Sequence, residues 1–242
     1  MILPSVYSTF GRDDAIHLVN LIGREDPETM ESARSRLDED GIDALLDDPR
    51  VLNALLTDAR VTASPPLIFY VLVRQALLEG GIESRALADY TTTLVIHFGQ
   101  ARRAYRLAQE AGDEFHYLTD IVLHLEGADG RQTLMLNAHL GNFALWMTGL
   151  FPQYVAARRT RRGAPGLRYY EEMGTTGFRM AADSSEASRL GVDDIFRDVA
   201  DHFRGVRVAL NRISDRHLWR SAGDPVERLL REMEQRVVDG EP

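Results

Sequence analysis

Apolar residues return every three or four positions along most of this chain, and that spacing predicts helices. The clearest stripe is Val192, Ile195, Phe196, Val199, Phe203, Val206 and Leu210, one face of a long helix. Leu87, Tyr90, Leu94, His97 and Phe98 mark another, from about residue 83 to about 110, with Arg102, Arg103 and Arg106 toward the C-terminal half, where cations suit the helix dipole. The apolar run from Leu67 to Leu78 is opened by Ser64-Pro65-Pro66 and closed by Gly80-Gly81. In the acidic stretch 24–50, Asp26-Pro27-Glu28 and Asp48-Pro49-Arg50 each place a capping side chain ahead of a proline, so short helices are expected. Further helices are expected over 169–182 and after Asp224-Pro225, where Val226, Leu229, Leu230, Met233 and Val237 recur.

Residues 113–149 carry two patterns. Ile121 to Glu126 and Arg131 to Leu136 flank an Asp129-Gly130 pair, the mark of a short β-hairpin near 120–136. Phe115, Leu118, Val122 and Leu125 before the turn, and Leu136, Leu140, Phe143 and Met147 after it, recur with a helical period instead. The helical recurrence favours helix–turn–helix, with the hairpin as the alternative. The expected fold is therefore an all-α, multi-helix bundle. One helical domain is expected over 1–242, with 1–62 as an acidic N-terminal lobe that stands partly apart.

All 28 basic residues are arginine, and the chain has no cysteine. Schiff-base chemistry, pyridoxal attachment, a P-loop lysine and thiolate chemistry are thereby excluded. A net charge of −9 on 242 residues argues against a general nucleic-acid binder. The stretch Leu67 to Leu78 contains Arg74 and is short, and the stretch Leu134 to Ala157 is broken by Asn137, His139, Asn142 and Pro152. No membrane span is expected, and the N-terminus lacks a basic leader, which makes the cytoplasm the default location.

Familiar catalytic signatures are missing from the sequence, including Gly-x-Ser-x-Gly, Gly-x-Gly-x-x-Gly, His-Glu-x-x-His and Glu-x-x-His. No catalytic or metal residue is therefore assigned, and the cofactor is left unknown. Two weaker patterns remain: His116, Asp120 and His124, and Asp194, Asp198 and His202, each spaced i, i+4, i+8 with ligand types that suit zinc or iron. Both triplets fall mainly off the apolar stripe of their helices, as solvated side chains do. His97 and His139 sit in apolar sequence, where a histidine is normally a hydrogen-bonded core residue; the functional alternative is a paired site for a metal or small ligand.

The densest chemistry lies at Arg158, Arg159, Arg161, Arg162 and Arg168, a positive patch with no acid between Asp129 and Glu171. Guanidinium forks suit carboxylates and phosphates. The plain alternative is that these arginines cap a helix C-terminus and pair with Glu171 and Glu172. The expectation is a helical interaction or regulatory protein whose arginine cluster docks an acidic protein surface or a second copy of the chain. Nucleic acid and anionic lipid are lesser targets, and a metal- or cofactor-binding bundle enzyme is the competing class.

Overall fold

The computed structural model describes residues 4–24, 26–57, 63–99, 118–125, 128–162 and 164–218. Among them every regular element is helical and none is a strand, so the chain is an all-α multi-helix protein. After a 3-10 turn at Tyr7–Thr9 come α1 (Arg12–Ile22), α2 (Pro27–Asp40), α3 (Ile42–Leu46), α4 (Pro49–Thr57), α5 (Pro65–Leu78) and α6 (Arg85–Gly99). Then follow α7 (Leu118–Leu125), α8 (Gly130–Leu150), α9 (Pro152–Arg162), α10 (Leu167–Ala182), α11 (Ser185–Leu190) and α12 (Asp193–Ile213). Over 120–136 the helical alternative holds: α7 ends at Leu125 and Asp129 caps α8 by accepting from the Gln132 amide at 2.9 Å, so the hairpin is not formed. The continuation of α6 toward residue 110 and the helix expected over 226–237 lie outside the described residues.

Two compact units divide the chain, one of Ser5–Thr92 and a second from Thr93 onward. In the first, the expected caps form. Asp26 accepts from the Glu28 and Thr29 amides, and Ser64 from that of Leu67, each relieving amides that a helix start leaves open. Gly81, at φ +75°, ends α5 in a left-handed turn, with the Ile82 amide donating back to Leu77 at 2.9 Å. Helix α5 is buried from Leu67 through Leu77, including Arg74. That charge is admissible because Arg74 donates from Nε and Nη2 to the two oxygens of Asp47, at 2.7 and 3.0 Å, and from Nη1 to the Glu83 carbonyl at 2.7 Å. Burial by itself raises the Asp47 pKa, yet Arg74 and Arg85 together hold it below the usual carboxylate range.

The second unit is built around α8, buried at every position from Leu136 to Leu150. α10 and α12 pack on it, and close approach is a glycine matter. A Cβ on Gly177 would stand 2.8 Å from the Asn137 carbonyl, and one on Gly141 would stand 2.7 Å from the Phe178 ring. The C-terminal carbonyls of α8 are all taken. Met147 accepts from the Phe151 amide at 3.0 Å, Thr148 and Gly149 from Asn211 Nδ2 at 2.7 and 2.6 Å, and Leu150 from the Ser214 hydroxyl at 2.8 Å. Helix α12 thus caps the buried end of α8 with its own side chains, where solvent cannot.

Candidate functional site

The arginine cluster is carried by α9, which begins directly after Phe151 turns the chain out of α8. Pro152 suits the first helical position, Val155 points into the unit and is buried, and Gln153 and Tyr154 face out. One turn beyond Tyr154, the Arg158 guanidinium lies over its ring, 5.6 Å from the centroid, a cation–π contact. Arg159 is exposed and has no carboxylate partner among the described residues. Arg161 and Arg162 lie in the last turn of the helix, and their side chains are outside the described residues.

The plain sequence alternative, pairing of this cluster with Glu171 and Glu172, is seen at Arg168, which pairs with Glu172, while Glu171 is taken by Arg207. Glu172 accepts from Arg168 at 2.7 Å on the exposed face of α10, and Glu171 accepts from the buried Arg207 at 2.6 Å. Arg207 also donates to Asn211 at 2.6 Å, the residue that caps α8, so Glu171 belongs to the internal scaffold. Arg168 is thus a cluster residue with an ion pair on its own helix.

A second source of positive potential adjoins the cluster. Helix α10 starts at Gly166 with no side-chain cap and no acid in its first turn. The Arg159 side chain runs past this point, with Nη1 3.1 Å from where a Gly166 Cβ would sit. Open amide groups, the positive end of a 16-residue helix and a guanidinium thus share one corner.

Beside the N-terminal half of α9 lies a cavity of about 200 Å³, lined chiefly by Leu150, Phe151, Pro152, Tyr154, Ser214 and Asp215. Its far wall is a π-helical turn, Ser214–Leu218, that continues α12. Phe151 is held edge-on against Trp146 at 4.8 Å, so the apolar floor of the cavity is fixed from within the unit. Sequence reasoning missed this cavity. It forms because Asn211 and Ser214 bring the end of α12 to the end of α8, and neither residue stands out in a periodicity count.

The other candidates fall elsewhere. His139 is fully buried on α8, its ring 5.6 Å from that of Phe98, and His97 is half-buried beside the same phenylalanine at 6.0 Å. Burial, with the charge of His97 adding to it, pulls the His139 pKa down to about 3. The two histidines converge on one aromatic ring, and His139 is neutral at any ordinary pH. The buried Thr92 hydroxyl donates to the Ala88 carbonyl of its own helix at 2.7 Å. On α12, His202 pairs with Asp198 at 2.9 Å, and Asp194 is exposed. His116 and the Asp120 side chain lie outside the described residues, while His124 is exposed on α7. Among the described residues no three histidine or carboxylate side chains gather as a metal ion requires, and no helix is long and apolar enough to cross a membrane.

Comparison with known proteins adds no relative. No protein-family model, no curated protein and no solved structure matches this chain.

Proposed function

We propose that this chain is a helical interaction protein of the cytoplasm that docks an acidic protein surface on the C-terminal half of α9 and the adjoining start of α10. One observation carries the reading: the exposed Arg159, which has no carboxylate partner among the described residues, lies against the start of α10, where there is no side-chain cap and no acid in the first turn. Like charges placed together gain most from a counter-charge brought by a partner. Arginine suits that task, because its fork meets a carboxylate with two parallel hydrogen bonds. The competing class, a metal- or cofactor-binding bundle enzyme, has His97 and His139 to stand on and lacks a third ligand among the described residues.

The test is a fluorescence-anisotropy titration with labelled hexaglutamate at low and at high salt. Binding that weakens steeply with salt, and weakens at least about tenfold in the variant carrying Glu at positions 158, 159, 161 and 162, supports the reading. Binding unchanged by that charge reversal removes it. Sedimentation of the protein alone over the same salt range distinguishes a foreign partner from a second copy, since a copy would show as a salt-sensitive dimer.

A further inference from the structure

We infer that the cavity beside α9 is a binding site for the quaternary ammonium group of a small molecule, a choline-like cation. The site is separate from the carboxylate docking proposed above and stands or falls without it.

The walls set the chemistry. Phe151, Pro152 and Tyr154 supply apolar and aromatic surface, and Phe151 is fixed against Trp146 at 4.8 Å. Among the described lining residues Asp215 alone carries a charge; it is exposed, and no ion pair engages it among the described residues. Arg212 and Arg216, its neighbours in sequence, and Arg158, over the Tyr154 ring, do not line the cavity. The C-terminal end of α8 and the N-terminal end of α9 meet at the floor with opposite dipole signs, so the formal charge of Asp215 decides. That carboxylate draws a cation, and aromatic rings attract cations through their negative faces. Asp215 also stands on the π-helical turn, a rare conformation that recurs at functional sites.

The backbone disfavours a cation that needs acceptors. The Leu150 carbonyl already holds the Ser214 hydroxyl at 2.8 Å, and the Phe151 carbonyl holds the Val155 amide at 3.2 Å. An arginine or a primary ammonium would leave N–H groups without partners on that floor. A quaternary ammonium has no N–H to satisfy, and its methyl groups suit the apolar walls. The volume agrees. The cavity holds about 200 Å³, and roughly 150 Å³ suffices for a benzene ring, which is comparable in bulk to a trimethylammonium group.

A second copy of the chain is the rival occupant, and it fits less well. Its basic side chains are all arginine, the N–H-rich kind that the floor disfavours. Its exposed Leu190 and Met180 would carry Asp193 and Asp194, or Asp183, toward Asp215, like charge against like. A neutral apolar group gains nothing from the carboxylate.

The experiment titrates the full chain with choline, its uncharged carbon isostere 3,3-dimethylbutan-1-ol, methylguanidinium and methylammonium, each read from its methyl signals by nuclear magnetic resonance. Choline is expected to bind saturably and at least about tenfold more tightly than each of the other three. Asp215→Asn is expected to bring choline down to the level of its isostere. Asp194→Asn, at the opposite end of α12, is expected to leave it unchanged. No saturable choline binding up to about 10 mM would overturn the inference. An isostere that binds as tightly as choline would also overturn it, making the cavity a plain apolar pocket. Methylguanidinium that does so would give the site to an arginine, such as that of a second copy, and equal loss in the two Asn variants would place the cation elsewhere; either result overturns the assignment. Because Asp215 is exposed, its replacement leaves the fold in place to be tested. None of these outcomes bears on hexaglutamate binding, which tests the docking separately.

Discussion

In the first unit Arg36, Arg50, Arg74 and Arg85 each meet an aspartate at 2.6 to 2.8 Å, whereas α9 of the second unit sets its arginines along a helix that holds no acid at all. The residue type is the same in both places. What differs is the supply of carboxylates: Asp43 on α3, and Asp47 and Asp48 between α3 and α4, lie where the guanidinium groups arrive, whereas Glu171 and Glu172 on α10 are engaged by Arg207 and Arg168. A charged side chain holds the fold where its partner is internal, and is available for recognition where its partner must come from outside.

The largest expected effect falls on the internal set. Arg74→Met strands Asp47 and the Glu83 carbonyl inside the first unit, and should cost about 3–5 kcal/mol in urea unfolding followed by circular dichroism. Both tryptophans, Trp146 and Trp219, lie outside Ser5–Thr92. Tryptophan fluorescence should accordingly report a later transition than dichroism does in this variant; coincident, unshifted curves would mean that the buried ion pair contributes little.

Next comes Asn211→Ala. It leaves the Thr148 and Gly149 carbonyls without donors at the buried end of α8, for a loss of about 1–3 kcal/mol in the transition read by Trp146. Asn211→Asp, which brings an acceptor to two acceptors, should do no better.

Acid should separate the two units by window. Buried His139 has its pKa depressed from 6.5 to about 3. The folded second unit therefore resists protonation that the unfolded chain accepts, and its stability should fall by up to about 1.4 kcal/mol per pH unit once the pH drops below the unfolded value near 6.5. His139→Leu should abolish that slope. In the first unit burial raises the Asp48 pKa, but its hydrogen bonds from Arg50 and Arg36 outweigh this and bring it down to about 2. The stability contributed by this carboxylate, about 2 kcal/mol, is present above its unfolded pKa and should be lost only as the pH falls from 3.8 toward 2. Parallel acid titrations of the two transitions, offset by no more than half a pH unit, would contradict this assignment.

Much of this arrangement could be read along the chain. The capping pairs Asp26-Pro27 and Ser64-Pro65, and the stripe from Val192 to Leu210, announce their helices because capping and periodicity are local properties. The Asp129-Gly130 pair was ambiguous for a physical reason: Asp suits a hairpin turn and a helix N-cap equally, and only packing of the following residues around α8 decides. Long-range pairing stayed hidden. Nothing in the sequence assigns Arg74 to Asp47 rather than to another acid, or Glu171 to Arg207 rather than to the α9 cluster. The cavity at Tyr154 was likewise out of reach, since its walls come from positions 150–154 and 214–215 and its shape depends on how Asn211 and Ser214 cap a distant helix.

The smallest expected change in stability is also the most direct check on the division between internal and outward-facing arginines. Equilibrium urea unfolding of Arg159→Gln, set beside Arg74→Gln, should leave the former within about 0.5 kcal/mol of the parent while the latter loses about 3 kcal/mol or more. An equal loss in both variants would show that the α9 arginine serves the fold as Arg74 does, and would contradict its assignment to docking.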